Sequence, residues 1–154
     1  MFPASVKRVP NHTDDSVNRR IQHQTKVNIN CFASAGPEAI DRRLSELDRE
    51  WDIERVLEAN AATITLIGLA LGALVHSLWF LLPAVVAGFL LEHALQGWCP
   101  PVPLFRRLGV RTRTEIDYER YALKALRGDF KDAPTMTEWT ERPDVGKVLE
   151  AVRS

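Results

Sequence analysis

The stretch ANAATITLIGLALGALVHSLWFLLPAVVAGFLL, residues 59–91, contains no Asp, Glu, Lys or Arg, although charge is frequent on both sides of it. One straight helix of this length would measure roughly 50 Å. About 20 residues are enough to cross the ~30 Å hydrocarbon core of a bilayer. The most polar dipeptide in the stretch is His76-Ser77. We therefore predict a transmembrane helical hairpin over residues 57–97, with helices at about 57–75 and 78–96.

The alternative is a helical hairpin buried in the core of a water-soluble domain. A core helix of such a domain usually keeps one polar face towards water. Both halves of the stretch are apolar all the way round. The sequence therefore favours lipid as the surrounding solvent.

The arginines on both sides of the hairpin predict its orientation. Four precede it within a short distance and four follow it, whereas the turn between the helices has no Lys or Arg. Under the positive-inside rule both termini lie in the cytoplasm. The arginines after the hairpin are also candidates for binding anionic lipid headgroups. The alternative is that they act only as the orientation signal, and the two roles are compatible. They are Arg106, Arg107, Arg111 and Arg113.

Net charge and cysteine content limit the binding partners and sites that we expect. The formal net charge is zero, so we expect no electrostatic steering of nucleic acid. The two cysteines, Cys31 and Cys99, are both predicted on the cytoplasmic side, where a structural disulfide is rare. Neither a CxxC nor an HExxH motif is present, and we expect no bound metal or cofactor.

The flanks of the hairpin divide into an arm, two helices, a turn and a tail. Residues 1–35 have few large apolar residues and no clear period, which is typical of disorder. Residues 36–56 have apolar residues spaced four, three and four apart, which predicts an amphipathic helix that runs into the hairpin. These residues are Ile40, Leu44, Leu47 and Trp51.

The chain after the hairpin begins with a turn rich in proline and arginine, residues 98–112. A capping box formed by Thr112 and Glu115 predicts a second amphipathic helix over 113–128, with Gly128 just past its end. The tail, residues 129–154, contains a short apolar pattern near its end that predicts a last helix. We expect both amphipathic helices to lie in the cytoplasm.

Small residues at a spacing of three or four mark one side of each predicted membrane helix. Such residues allow close approach of helix backbones in lipid. Two interpretations stay open: contact between copies of the chain, or packing of the hairpin against itself. The residues are Ala61, Thr65, Gly68 and Gly72 in the first helix, and Ala84 and Gly88 in the second.

Polar residues are predicted to meet at the mouth of the hairpin. Reflection of the chain about His76-Ser77 places Asn60 level with His93. The predicted cluster comprises Glu58, Asn60, Glu92 and His93. Ionisable groups in a membrane segment are functional candidates. We favour a polar clasp between the helices, with proton relay as the alternative.

Two interpretations of Cys99 stay open. Neighbouring arginines would favour a reactive thiolate, whereas a lone cysteine beside Trp and Pro is more often a small packed residue.

The motif Gly97-Trp98-Cys99-Pro100, followed by Leu108-Gly109-Val110 and Thr112 and preceded by Asp48-Arg49, resembles a small two-helix bacterial membrane domain. This domain also anchors YgaP-type inner-membrane rhodaneses. The resemblance covers about residues 45–113, and it implies a helical hairpin, self-association and a bacterial inner-membrane location. The sulfur-transferring cysteine of those rhodaneses belongs to a separate domain, so the resemblance assigns Cys99 no catalytic role.

Together these features predict an all-α membrane protein with a structural, interaction or scaffold role and no catalytic activity. Its expected partners are the lipid bilayer and a second copy of the chain or another membrane protein. Two alternatives remain. One is an oligomeric transporter or channel subunit that uses Glu92 and His93. The other is a thiol-dependent, sulfur-related module that uses Cys99.

Overall fold

The computed structural model describes residues 4–131 and Gly146. Every regular element in this part of the chain is helical, which confirms the predicted all-α class. The helices are α1 (Arg8–Asn11), α2 (Asp15–Ser34), α3 (Pro37–Arg49), α4 (Ile53–Leu74), a 3-10 helix (Ser77–Phe80), α5 (Leu81–Gln96), α6 (Val102–Arg107) and α7 (Arg113–Arg127).

The described chain forms two compact units. The hairpin unit comprises residues 4–24 and 50–116, and the second unit comprises residues 25–49 and 117–131. Within the hairpin unit, we call residues 61–91 the shaft. We call residues 4–24, 50–58 and 93–116 the base.

The chain enters the hairpin through a break between α3 and α4. The Asp52 side chain accepts a hydrogen bond from the backbone N–H of Arg55 at 2.9 Å, as an N-cap does. The N–H of Ile53 is bonded to the carbonyl oxygen of Arg111 at 2.8 Å. The prediction of one continuous helix over 36–56 is therefore wrong at residues 50–52, because Asp52 starts a new helix there.

The hairpin turn lies at His76 and Ser77, as the sequence predicts. His76 has an extended backbone, and its ring nitrogen Nδ1 accepts a hydrogen bond from the N–H of Leu78. After the 3-10 turn, α5 continues to Gly97, which adopts the left-handed conformation with φ +84°. Two helical segments are long and apolar enough to cross a membrane: Pro37–Leu74, taken across the break, and Ser77–Gln96.

The two helices of the shaft pack through glycines. A Cβ placed on Gly68 would lie 2.6 Å from Cδ of Pro83, and one on Gly72 would lie 2.6 Å from the ring of Phe80. Only glycine fits at such separations. Both glycines therefore close the hairpin on itself.

The prediction that residues 1–35 are disordered is wrong for residues 8–11 and 15–34, which are helical. In the hairpin unit, Val9, Thr13, Val17 and Ile21 are buried. Val9 packs in an apolar cluster whose other members come from α4 and from the chain after α5. Residues 1–35 contain few large apolar side chains, but burial of these four residues stabilises the segment that carries them. The other members are Ile53, Leu57, Cys99 and Val102, with Phe105 and Val110 packed against them.

The second unit combines apolar burial with ion pairs. Ile40, Leu44, Leu47 and Leu123 are buried, whereas Trp51 belongs to the hairpin unit and is 48% exposed. A fully buried carboxylate, that of Glu119, accepts a hydrogen bond from Nε of Arg43 at 2.8 Å. The described part of α7 ends one residue before Gly128, which has φ +94°. The helix predicted in the tail lies outside the described residues.

Candidate functional site at the base of the hairpin

Large apolar side chains cover the outside of the hairpin. The exposed fraction reaches 84% at Leu74, near the turn, and stays high along α5. Burying one such side chain fully is worth about 1.5–3 kcal/mol relative to exposure in water. A contiguous surface of this kind marks contact with a membrane or a partner. It comprises Leu66, Ile67, Leu69, Leu74, Val75, Leu78, Trp79, Phe80, Leu81, Val85, Phe89, Leu91 and Leu95.

Three side chains from α1, α4 and α5 meet at the base and form what we call the clasp. Nη2 of Arg8 donates to Oε1 of Glu54 at 2.8 Å, and Nη1 of Arg8 donates to the carbonyl oxygen of Ala94 at 2.9 Å. Nε2 of His93 lies 2.7 Å from Oε2 of Glu54. One carboxylate thus joins the N-terminal segment to both helices of the hairpin.

The clasp differs from the predicted polar cluster in its members. His93 belongs to it, but its partner on α4 is Glu54, and not Asn60. Glu58 is exposed, and Asn60 and Glu92 are half-buried outside the clasp. The 3-10 turn contributes only about 2 Å to this displacement, because its four residues rise about 2.0 Å each and not 1.5 Å. The six residues between Glu54 and Asn60 correspond to about 9 Å of helix, so the turn alone does not explain the partner.

The ring of His93 is almost wholly buried, with 4% of the residue exposed. Its Nδ1 atom has no hydrogen-bond partner among the described residues. A proton on Nε2 lets the ring donate to the Glu54 carboxylate across this contact.

Gly97 brings α1 close to the end of α5. A Cβ at this position would lie 2.5 Å from the carbonyl carbon of Arg8. Its left-handed φ also disfavours any other residue. The glycine of the Gly97-Trp98-Cys99-Pro100 motif therefore seats the N-terminal segment against the hairpin.

A second polar centre surrounds Arg106, which is 0% exposed. Its guanidinium forms a bidentate pair with the Glu115 carboxylate, at 2.6 and 2.8 Å. Its other bonds reach the hydroxyl of Thr13, the side-chain oxygen of Asn18 and the carbonyl oxygen of Val110. Together these bonds use all five N–H groups of an arginine. Arg106 therefore links α2, α6 and the start of α7.

The Arg106 pair changes the charge behaviour of Glu115. Burial alone would raise the pKa of Glu115. Hydrogen bonds from Arg106 and from the N–H of Thr112 outweigh burial and hold this pKa below its ordinary value. The predicted capping box is present, with Thr112 N–H bonded to Glu115 at 2.8 Å.

The arginines predicted to bind lipid headgroups fall into two groups. Arg106 and Arg111 are buried in ion pairs, Arg111 with Glu50 at 2.6 Å, so the headgroup role is wrong for both. Each guanidinium is paired with a partly buried carboxylate, that of Glu115 or Glu50. Arg107 and Arg113 are exposed, and for them the role stays a prediction.

Cys99 is 5% exposed and packs in the apolar cluster beneath α1. Burial, reinforced by the nearby charge of Glu92, raises the pKa of the Cys99 thiol. The interpretation as a reactive thiolate is therefore wrong, because the thiolate is disfavoured where the side chain lies.

The small residues predicted to pack helices also fall into two groups. Ala61, Gly68 and Gly72 are buried, and Thr65 is half-buried. Ala84 and Gly88 are exposed on α5, and a Cβ placed on Gly88 would have no described atom within 4 Å apart from its chain neighbours and the backbone of its own helix. Packing within the hairpin thus uses the first group and leaves the second open.

Ion pairs and buried hydrogen bonds hold the polar side chains of the base in place. Among residues 4–131 and Gly146, no three His, Cys, Asp or Glu side chains are grouped so that they could hold a metal ion. Comparison of the chain with protein-family models, curated proteins and solved structures finds no match.

Sequence reasoning missed Arg8 and Glu54 of the clasp, and Thr13 and Asn18 of the Arg106 centre. A signal was available in the β-branched residues spaced four apart in the N-terminal segment, which are all buried. They are Val9, Thr13, Val17 and Ile21.

Proposed function

We propose that the chain is a small membrane protein with a structural, interaction or scaffold role and no catalytic activity. Its hairpin crosses a bilayer, and its base and second unit lie in the cytoplasm with both termini. The bacterial inner membrane is the location that the resemblance to the YgaP-type anchor implies.

The observation that carries this proposal is the apolar outer surface of the hairpin. Leu66, Leu74 and Leu81 are each more than 60% exposed, in a stretch that has no charged residue. In water these side chains would lose much of the burial that stabilises a folded protein. In a bilayer they are solvated by lipid, and the shaft needs only close packing between its two helices.

The distribution of polar groups supports a membrane that lies between the base and the turn of the hairpin. Buried ion pairs occur at the base, where Arg106 and Arg111 hold α6 and the start of α7 in place. Arg107 and Arg113 are exposed, and we expect them to face anionic headgroups at the membrane surface. At the turn, Trp79 is 43% exposed, and tryptophan is favoured at a membrane interface.

Fractionation of cells that express the chain tests the proposal. We expect the protein in the membrane pellet, resistant to extraction at alkaline pH and released by detergent. Alkaline phosphatase fused to either terminus should be inactive, and a fluorescent protein fused there should be fluorescent. A compact monomer that stays in the supernatant without detergent would overturn the proposal, and active phosphatase at one end would overturn the orientation.

Self-association, where it occurs, is expected to use α5. Gly68 and Gly72 are occupied inside the hairpin, whereas Ala84 and Gly88 remain open on its surface. Crosslinking in native membranes should therefore be lost in Gly88→Ile. Dimer that persists unchanged in this variant would exclude the Ala84 and Gly88 face as the contact.

A further inference from the structure

Helix α6 carries two exposed leucines on its outer face. Leu104 is 58% exposed and Leu108 is 71% exposed, and their spacing of four places them on the same side of the helix. Val102 and Arg106, by contrast, are fully buried in the base. A leucine left in water forgoes about 1.5–3 kcal/mol relative to full burial. The outer face of α6 is therefore an apolar surface that the base does not use.

The chain that leads into α6 lies beside the shaft. The ring of Trp98 packs against the ring of Phe89, with their centroids 6.4 Å apart. Phe89 lies eight residues before Gly97, which corresponds to about 12 Å of helix. It also belongs to the apolar outer surface of the hairpin. The residues just before α6 thus continue that surface towards the base.

The polar contacts of α6 occur on the side opposite to Leu104. The guanidinium of Arg106 is bonded to Thr13 and Asn18 in the N-terminal segment and to Glu115 at the start of α7. Leu104 lies two residues from Arg106, which is about 200° around a helix of 3.6 residues per turn. Leu104 therefore faces away from these polar elements, on the side where a membrane has room to approach.

Basic side chains accompany the two leucines. Arg107 is exposed, and its carbonyl oxygen accepts a hydrogen bond from Nη2 of the exposed Arg20 at 2.5 Å. Asp14 is close enough to interact electrostatically with Arg107, so two cations occur with one anion. Leucines on one side of a helix, with arginines next to them, are typical of a segment that lies in the plane of a membrane interface.

We propose that the outer face of α6 lies in the interface of the lipid bilayer. Leu104 and Leu108 enter the upper part of the acyl chains, and Arg107 contacts anionic headgroups. The base thus rests against the membrane through α6, beside the point where the hairpin emerges. This inference rests on the proposed membrane role and adds a second lipid-contacting surface to it.

Quenchers carried by the lipid test this contact. The full chain with Cys31→Ser, which removes the exposed thiol, receives one new cysteine by Leu108→Cys and is labelled with a nitrobenzoxadiazole fluorophore. The protein without the new cysteine measures any labelling of the buried Cys99. The labelled protein is placed in vesicles of phosphatidylcholine and phosphatidylglycerol that carry a nitroxide at a shallow or a deep acyl position. An interfacial segment lies about 5–10 Å into the headgroup and acyl boundary, so we expect the larger loss of fluorescence from the shallow nitroxide.

Two further positions are matched controls. Leu66→Cys, on the exposed side of the shaft, should lose more fluorescence to the deep nitroxide. Gln22→Cys, exposed on α2 in the same unit, should respond to neither nitroxide and should be quenched by iodide present on both sides of the vesicle. Leu104→Cys should behave like Leu108→Cys, so the result does not depend on one variant.

Quenching of both α6 positions by iodide, to the extent seen at Gln22→Cys, overturns the interfacial contact. Protection from iodide and from both nitroxides also overturns it, since a protein would then cover α6. In either case lipid quenching at Leu66→Cys leaves the membrane role intact. Loss of lipid quenching at Leu66→Cys as well would overturn the membrane role together with this contact.

Discussion

The shaft and the base of the hairpin unit are held together by different physical means. In the shaft, Gly68 and Gly72 contact Pro83 and Phe80, and no charged side chain occurs between Ala59 and Leu91. In the base, buried guanidiniums are paired with carboxylates, above all Arg106 with Glu115. One compact unit thus contains a close-packed apolar part and an ion-paired part.

The membrane location that we propose accounts for the difference. Lipid would solvate the apolar side chains on the surface of the shaft, so steric fit would decide how its two helices associate. Near water, an apolar core forms around Leu57 and Val102, and the charged groups drawn into it require partners. Substitutions should therefore act through sterics in the shaft and through unpaired charge in the base.

The largest effect is expected from Arg106→Met. This change leaves the Glu115 carboxylate, with a side chain only 19% exposed, without its cation. Breaking a buried ion pair by removing one partner typically costs about 3–5 kcal/mol. The midpoint of denaturant unfolding in detergent, followed by circular dichroism, measures this loss. Arg107→Met is the matched control, since Arg107 is exposed and should change the midpoint little.

A smaller effect is expected from Gly68→Val in the shaft. The added side chain would overlap Pro83, and overpacking of this kind costs about 1–3 kcal/mol. The unfolding midpoint in the same detergent should fall. Gly88→Val should leave it nearly unchanged, because that position is open. Equal losses in both variants would show that the glycines matter through helix propensity and not through contact.

The smallest effect is the pH dependence that Glu115 confers on the base. Its pKa is lowered in the folded chain, so its contribution to stability is complete above the unfolded pKa and is lost as pH falls through the folded pKa. One proton contributes a slope of at most about 1.4 kcal/mol per pH unit. The free energy of unfolding should fall less steeply on acidification in Glu115→Gln than in the parent protein. Parallel curves would contradict the pairing.

The helices and the turn of the shaft were largely predictable, because the absence of charged residues marks this segment clearly in the sequence. An uncharged stretch too long for one crossing must turn, and His76-Ser77 was the polar place to do so. Reflection about this turn pairs Gly72 with Leu81, and the structure pairs it with Phe80. The error is small near the turn.

The base was not predictable in the same way. Reflection gave Asn60 as the residue level with His93, but the structure places the Glu54 carboxylate against His93 instead. The arginines that follow the hairpin read alike in sequence. Their separation into buried Arg106 and exposed Arg107 depends on partners in α2 and α7, which no local pattern specifies.

The hydrogen bond between the N–H of Ile53 and the carbonyl oxygen of Arg111 has a mechanical consequence. It ties the point where the chain enters the hairpin to a point just beyond where it leaves. A hairpin fastened in this way resists splaying at its open end. In bilayers of differing thickness, we therefore expect its two helices to adjust by tilting together.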